Sequence, residues 1–578
     1  RCRLDLLRKD SAPAVCVGFD STALMQTTTP LDMMDSAASG RNRQPMLDSH
    51  RRGLAEPELP RRTYVFKTVL GKHVFLARKR RRIFTSIFPV LLWMGLAAVV
   101  SRAWAHVDDI RIKAALNATL IPLYVLFAVS GSMQVAVADI VSEKESKMKV
   151  IQDIYGLSAP MYWLTWWSFY AMVSLACILL VFVILLSFST LLDNINKVLA
   201  FVALLAAFVQ QFELVCMVST LFDTMRPATA FLSFTTTLLM AASTVLQGAL
   251  QGMAPSLWWL ASFVPTVNVF NVFGAMFWHA AGYECGETAA GCVQPGMNFG
   301  NLFDSYVCLA PYNATAPFSA EIPCEIHQTI FPAGNSFVMM LVDIVLFAFL
   351  AWWIENVRQG EYGAAKPLLF CLDPAYMCPR RQQEALPDHA REDGRGANRQ
   401  AALSIRELRK VFKQKVAIDN LSLDMYGREI FALLGHNGAG KTTAINCVVG
   451  LIPPTSGSAV VNGFDVRSNV ERARRQLSIC PQDNPFYAEF TVRQHLHFFG
   501  CLRGVSEPVI AERVGGVLQA LGIPEKVDEL CTTLSGGQKR RLWVATALIA
   551  DSPISFLDEP TSGMDPSSRR ELWDLLLR

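Results

Sequence analysis

Long apolar runs crowd the stretch from residue 83 to residue 354, and none of comparable length follows residue 401. A bilayer-crossing helix needs about 20 predominantly apolar residues. By that measure six spans are expected, at 83–100, 118–138, 161–187, 198–221, 228–250 and 337–354. A further apolar stretch, 257–281, is interrupted by Pro265, Asn268 and Asn271. It reads as helix, break, helix, a re-entrant hairpin whose broken backbone is covered by protein. The competing reading is a seventh full span, which would carry the tail to the opposite side of the membrane.

The loops between the spans carry a consistent polarity. Lys79-Arg80-Arg81-Arg82 directly precedes the first span and marks that side as cytoplasmic. The second-to-third connection holds Glu143, Lys144, Glu145, Lys147 and Lys149, and the fourth-to-fifth holds Arg226. Six spans return the tail to the cytoplasm. The loop 282–335 then faces outside, and it collects Cys285, Cys292, Cys308, Cys324 and the sequon Asn313-Ala314-Thr315. An oxidising, glycosylating compartment suits both. The sequon at Asn117 abuts a span and lies too near the bilayer for use. Residues 1–60 mix Arg, Asp, Ser, Thr and Pro with no helical or strand period, so a leader without regular structure is expected. The first span must then serve as its own insertion signal.

At 578 residues, ordinary domain sizes would suggest about four domains. Composition changes that picture, because 52% of residues are hydrophobic and only 18% charged. A membrane domain over 61–380, a polar linker over 381–400 and a soluble domain over 401–578 account for it. Net charge is only +4, which gives no case for a nucleic-acid partner. Cys447, Cys480, Cys501 and Cys531 lack metal-ligand spacing and read as small buried residues.

From residue 401 short strand and helix patterns alternate, as in an α/β domain. Gly435-His436-Asn437-Gly438-Ala439-Gly440-Lys441-Thr442-Thr443 fits the phosphate-binding loop pattern. It follows the apolar strand candidate 430–434 and leads into a helix, which is the setting that pattern requires. Glycines let successive N–H groups turn inward onto phosphate oxygens, and the helix start adds partial positive charge. Lys441 would neutralise the β- and γ-phosphates and Thr442 would hold Mg²⁺. Downstream, the apolar run 554–557 ends in Asp558-Glu559. Asp558 is the expected second Mg²⁺ ligand, and Glu559 the general base toward the attacking water.

Leu534-Ser535-Gly536-Gly537-Gln538 lies between these two elements, with Gln482 in Cys480-Pro481-Gln482-Asp483 before it and Ser562-Gly563-Met564-Asp565 after it. The ordered set resembles the ABC ATPases. The resemblance implies a head-to-tail dimer, with ATP held between the phosphate loop of one domain and Ser535, Gly536, Gly537 and Gln538 of a second ABC half. It also implies that Gln482 contacts Mg²⁺ and the γ-phosphate and relays the site's state to the membrane domain, that Asp565 borders the nucleotide, and that Phe412 stacks on adenine. For Phe412 a core aromatic at a strand end is the competing reading. The family carries a switch histidine further beyond Glu559 than Arg578 reaches, so the ATPase domain is expected to be incomplete at its C-terminus.

The membrane part resembles the A subfamily of ABC transporters, the lipid transporter type, with an ABC-2 or type V exporter-like domain preceding the ATPase. Glu143-Lys144-Glu145-Ser146-Lys147-Met148-Lys149 and Tyr155-Gly156-Leu157-Ser158 look like its cytoplasmic coupling helix, placed at 143–158. Glu355 to Gly363 and Asp565 to Leu577 carry further likeness. Two features depart from that pattern: a short first loop, 101–117, and one half per chain. The resemblance implies ATP-driven movement of phospholipid or sterol in a multi-pass protein of the plasma or endolysosomal membrane, with both termini cytoplasmic. A xenobiotic or peptide substrate, or a non-transporting ATP-binding channel regulator, are the alternatives. Acidic residues are costly in lipid, so Glu213 and Asp343 are expected to face the bundle or a cavity. Trp163, Trp166 and Trp167 are expected first as an interfacial belt.

Overall fold

The structure is a computed structural model that describes residues 14–20, 62–103, 110–187, 194–250, 255–281, 297–304, 306–308, 327–358, 366–372, 401–413, 415–550 and 552–577. The chain divides into two compact units. One comprises Arg1–Lys72, Ser146–Trp163 and Arg358–Arg578; the other comprises His73–Glu145 and Leu164–Val357.

In chain order the first elements are β1 (Ala14–Asp20), α1 (Arg62–Lys79), α2 (Arg82–Ala103), α3 (Ile110–Glu145), α4 (Met148–Ile154) and α5 (Ala159–Ser187). Then come α6 (Lys197–Leu221), α7 (Met225–Leu250), α8 (Pro255–Ala261), α9 (Pro265–Ala281), β2 (Tyr306–Cys308), β3 (His327–Thr329) and α10 (Ala333–Val357). Among the described residues six helices are long and apolar enough to cross a membrane: Arg82–Ala103, Ala115–Glu145, Ala159–Ile184, Lys197–Leu221, Met225–Leu246 and Ala333–Val357. They run past the apolar cores read from the sequence, because polar residues such as Glu143 and Glu145 continue the helical hydrogen bonding beyond the hydrocarbon length.

Within the helical unit, α3 packs against α2, α6, α7 and α9, and α10 packs against α6 and α9. Apolar side chains that no neighbour covers, among them Leu92, Val99, Phe234, Val245 and Val345, lie on α2, α7 and α10. That is the surface a bilayer would receive. The α2–α3 contact is close: a Cβ on Gly131 would lie 2.6 Å from the Pro89 ring. Small residues at such crossings let backbones approach, which is how helices associate where lipid is as apolar as Leu. Arg80 and Arg82 reach Asp139 of α3 at 3.7 and 3.3 Å, and Tyr170 donates to the same carboxylate at 3.0 Å. Trp166, expected at an interface, is instead buried, with its ring 3.8 Å from that of His73.

The stretch expected to be a hairpin forms two helices, α8 and α9, separated by Ser262–Val264. Asn268 Nδ2 donates to the Ser262 carbonyl at 2.6 Å, satisfying backbone that the break leaves open. Glu213 is buried and accepts from Trp167 Nε1 at 2.7 Å. In the loop expected outside, β2 and β3 pair antiparallel, with Cys308 opposite His327. Cys285, Cys292, Cys324 and the Asn313 sequon lie outside the described residues, as does the linker 381–400.

The second part of the chain supplies β4 (Ala401–Phe412), β5 (Lys415–Tyr426), β6 (Ile430–Gly435), α11 (Lys441–Val448), β7 (Ser456–Val461), β8 (Phe464–Asp465), α12 (Val470–Arg475) and β9 (Leu477–Cys480). It continues with α13 (Val492–Leu502), α14 (Glu507–Ala520), α15 (Gly536–Ile549), β10 (Ile554–Asp558) and α16 (Pro566–Leu577). Two sheets form: an antiparallel one in the order β5-β4-β7-β8, and a parallel one in the order β6-β1-β10-β9. Every residue of β9 and β10 is buried, as strands covered on both faces require.

β1 corrects the expectation for residues 1–60. Val15–Asp20 run parallel to Ile430–Gly435, and Ala14–Gly18 run parallel to Ile554–Asp558. Ala-Val-Cys-Val-Gly-Phe is the short, unbroken apolar run that a central parallel strand needs. Without a neighbouring strand in sequence it carries no period of its own. The other residues of that leader lie outside the described ones.

Candidate functional site

The carboxyl ends of β6, β10 and β9 lie at one edge of the parallel sheet, which is where open α/β sheets bind ligands. β6 leads through 436–440 into α11. Gly438 and Gly440 take φ of +83° and +89°. At Gly440 a Cβ would sit 2.3 Å from the Ala417 carbonyl oxygen of β5, so glycine is required both by conformation and by space. The Ala439 N–H closes this tight turn on the His436 carbonyl at 3.1 Å, just before α11. Lys441 folds back over the loop, donating to the Gly435 carbonyl at 2.6 Å and the His436 carbonyl at 3.2 Å. His436 Nδ1 pairs with the Asn437 carbonyl at 2.9 Å. Phe412 and Lys415 face each other at the β4–β5 turn, two residues before Ala417, so the Phe412 ring sits on the hairpin that borders the loop. It is 39% exposed and has Lys410 Nζ 4.9 Å from its centroid, which disfavours the core-aromatic reading.

Thr442 Oγ1 donates to Asp558 Oδ2 at 3.2 Å, joining the first turn of α11 to the end of β10. Asp558 is almost fully buried, and that burial raises its carboxyl above the usual range, with Thr442 acting the other way. Glu559 follows with φ of +50°, a left-handed backbone that a non-glycine residue rarely adopts. Its Oε1 accepts from Gln482 Nε2 at 3.3 Å, so the residue after β10 and the residue two beyond β9 meet. Lys441, Thr442, Asp558, Glu559 and Gln482 are thereby brought to one edge.

Ser535 and Gln538 are spent locally. Ser535 Oγ accepts from the Gln538 N–H at 3.3 Å, and Gln538 Oε1 accepts from the Ser535 N–H at 2.9 Å. This reciprocal capping box starts α15 and leaves Gly536 and Gly537 in its first turn. Asp565 caps α16 in the same sense: Ser567 Oγ, Ser568 Oγ and the Ser568 N–H donate to it, holding its carboxyl below the usual carboxylate range. For Gln538 and Asp565 the side chain thus shapes a helix start.

The donor set suits a magnesium nucleotide. A glycine-forced amide loop at a helix N-terminus with a lysine is an anion cradle, and a hydroxyl beside a carboxylate is a hard-cation pair. Residues 418–562 match the family model described as ABC transporter, and residues 112–353 match the model described as ABC-2 family transporter protein. The chain belongs to the ABC transporters. Its relatives include the phospholipid-transporting ATPase ABCA3 of Rattus norvegicus, 40% identical over 261 residues, covering 43% of this chain and 15% of that protein. The phospholipid-transporting ATPase ABCA7 of Homo sapiens is 31% identical over 483 residues, covering 82% of this chain and 21% of that protein. This ABC transporter chain therefore spans about a fifth or less of the length of the curated relatives it matches. With six apolar helices among the described residues, five of them in the ABC-2 region, it is an integral multi-pass membrane protein with a nucleotide-binding domain.

Two parts of the site in this ABC transporter are not apparent from motifs. Arg540 is buried on α15 and reaches four carbonyls. Its Nε donates to Glu559 at 3.0 Å, its Nη2 to Asp558, and its Nη1 to Pro481 and, at 3.2 Å, to Gln482. One guanidinium thus fastens the ends of β9 and β10 to the helix that Ser535 starts. A sequence signal exists: Arg540 shares a helical stripe with the buried Trp543, Val544 and Ala547.

The second part is the docking of α4 in the sheet-containing unit. Tyr155 donates to the Ile479 carbonyl of β9 at 3.0 Å, and Lys147 pairs with Asp483 at 2.9 Å, so both residues grip the strand and loop that carry Gln482. Buried Lys72 of α1 donates to Gln152 at 3.2 Å and to Tyr487 at 3.3 Å, while Gln152 Nε2 also donates to Tyr487 at 2.9 Å. Arg503 lies 4.8 Å over the Tyr155 ring, and burial pulls its guanidinium down to about 10.

Proposed function

We propose that this chain is half of an ATP-driven lipid transporter, its α4 segment carrying the state of the nucleotide site toward the spans. The observation behind it is that one strand end, β9 with Gln482, is held at both sides: Gln482 bonds Glu559, and Tyr155 and Lys147 of the α4 region hold Ile479 and Asp483. A change in what Glu559 and Gln482 contact then moves backbone that α4 grips.

In this reading the 435–440 loop amides and Lys441 bind the phosphates, and Phe412 takes the adenine. Thr442 and Asp558 would hold Mg²⁺, which when bound supplies charge neutralisation at the phosphate oxygens. Glu559 accepts the proton of the attacking water, and Gln482 orients that carboxylate. Ser535 through its hydroxyl, and Gly536 and Gly537 through helix-start N–H groups, face the nucleotide of a second ABC half, completing its site. The phospholipid activity named for the ABCA relatives supports lipid as substrate class. The basic run before α2 supports cytoplasmic placement of the nucleotide domain.

The test is reconstitution of the full-length protein in vesicles with labelled phospholipid, with hydrolysable ATP, with a non-hydrolysable analogue, and without nucleotide. Flux only with hydrolysable ATP is expected, and Glu559→Gln is expected to retain ATP while losing turnover by about 10²-fold or more. ATP retention without any lipid flux would leave a nucleotide-gated regulator as the better reading.

A further inference from the structure

Deep among the helices of the membrane unit lies a polar cluster that the nucleotide cycle does not use. Gln210 of α6, Asn268 of α9 and Asp343 of α10 are each wholly buried, at 0% exposure. Gln210 Nε2 donates to Asp343 Oδ2 at 2.6 Å, and Asn268 Nδ2 donates to the same oxygen at 2.9 Å. Each amide therefore spends its NH₂ on the carboxylate, which fixes what remains. Asp343 Oδ1, Gln210 Oε1 and Asn268 Oδ1 are buried acceptors with no hydrogen-bond partner among the described residues. No Lys, Arg or His pairs with Asp343 there either.

Both helices that frame the carboxylate place it near mid-length: Asp343 in α10 (Ala333–Val357) and Gln210 in α6 (Lys197–Leu221). A charge at that depth is expensive, and an acceptor left bare in a dry site costs further. A proton on Asp343 turns Oδ1 into a donor for one amide carbonyl and leaves the other bare. A single cation within reach of all three oxygens would satisfy them together. Carboxylate and amide oxygens are ligands for hard monovalent ions, and three acceptors match the three N–H donors of a primary ammonium. We propose that Gln210, Asn268 and Asp343 form a monovalent-cation site within the membrane bundle, filled by an alkali ion or by the primary ammonium of a lipid headgroup. The lipid source rests on the transport reading above; the alkali source does not.

The experiment uses the full-length protein in phosphatidylcholine nanodiscs, with unfolding followed by tryptophan fluorescence. NaCl and KCl are compared with N-methyl-D-glucamine chloride at equal ionic strength, and the series is repeated with phosphatidylethanolamine replacing part of the phosphatidylcholine. A ligand bound only by the folded state raises Tm with concentration, so a rise of about 3 °C or more at saturation is expected. A rise with sodium or potassium in phosphatidylcholine assigns an alkali ion; a rise only with phosphatidylethanolamine assigns the ammonium head. Asp343→Asn keeps an acceptor for both amides and removes the charge, and its Tm is expected to be indifferent to either ligand. No dependence on small cation or on ethanolamine lipid in the wild type overturns the proposal, as does an equal response in Asp343→Asn or a response to pH alone. If that variant does not fold, the wild-type series decides by itself. Labelled-ATP retention is measured on the same samples, so failure of the nucleotide reading is seen separately from failure of the cation site.

Discussion

A guanidinium with five N–H donors and no carboxylate partner inside a protein is unusual; among the described residues Arg540 is in that situation and meets it by collecting backbone carbonyls. Two of them belong to Asp558 and Glu559, and Glu559 holds a left-handed backbone that costs on the order of 1–3 kcal/mol. Arg540 offsets that strain and so sets where the Glu559 carboxylate lies. Arg540→Lys keeps the charge without the fork, and Arg540→Met removes both. Both variants are expected to hold ATP with little change in KM while kcat falls at least about 10-fold, since a small misplacement of the proposed base is enough. A lowered Tm with unaltered kcat would reduce Arg540 to a purely structural part.

His495 works at the same scale. It is wholly buried between Phe499 and Trp543, neither ring nitrogen has a partner among the described residues, and burial lowers it from 6.5 to about 3. The unfolded chain therefore takes up a proton near pH 6.5 that the folded one refuses. Stability is full above that pH and is lost as pH falls from 6.5 toward 3, by about 2 kcal/mol at pH 5. His495→Phe is expected to flatten this acid limb in Tm-against-pH curves of the nucleotide domain's unfolding.

At the scale of elements, α4 has only seven residues, too few to be a helix in its own right. Its contacts hold it: Tyr155 on β9, its ring 4.8 Å edge-on to Phe499, and Gln152 with Lys72 and Tyr487. Tyr155→Phe keeps the packing and drops one buried hydrogen bond, for a loss of about 0.5–1.5 kcal/mol. Tyr155→Ala removes both, and lipid flux is expected to fall several-fold more than ATP turnover does. Equal loss of flux and turnover would mean that α4 does not carry the coupling.

The motifs around Gly440, Asp558 and Ser535 were legible because their work is local: a turn geometry, a strand end, a helix cap. Arg540 was not, since Lys539-Arg540-Arg541 reads as a solvated basic triplet unless its stripe with Trp543 and Ala547 is followed. Lys72 and β1 were missed for a related reason. Their partners are hundreds of residues away, and a buried lysine or a lone apolar heptapeptide has no period that announces the slot it fills.

For the whole molecule, six apolar runs gave the spans, but not which helices lie inside. That depends on packing: α3 and α6 are mostly buried, whereas α2, α5, α7 and α10 keep apolar faces uncovered. The polar residues followed the same logic, as Asp343 and Glu213 occupy interior positions.

The capping box at Ser535 bears on assembly. In the proposed pairing of two halves, the surface that Ser535 offers to the other half's ATP is formed before that half arrives, because Ser535 and Gln538 complete each other's bonds within one chain. Association then orders no loop at that point and loses little entropy there. Pairing of the two halves should accordingly be governed by nucleotide occupancy rather than by slow refolding of the encounter surface.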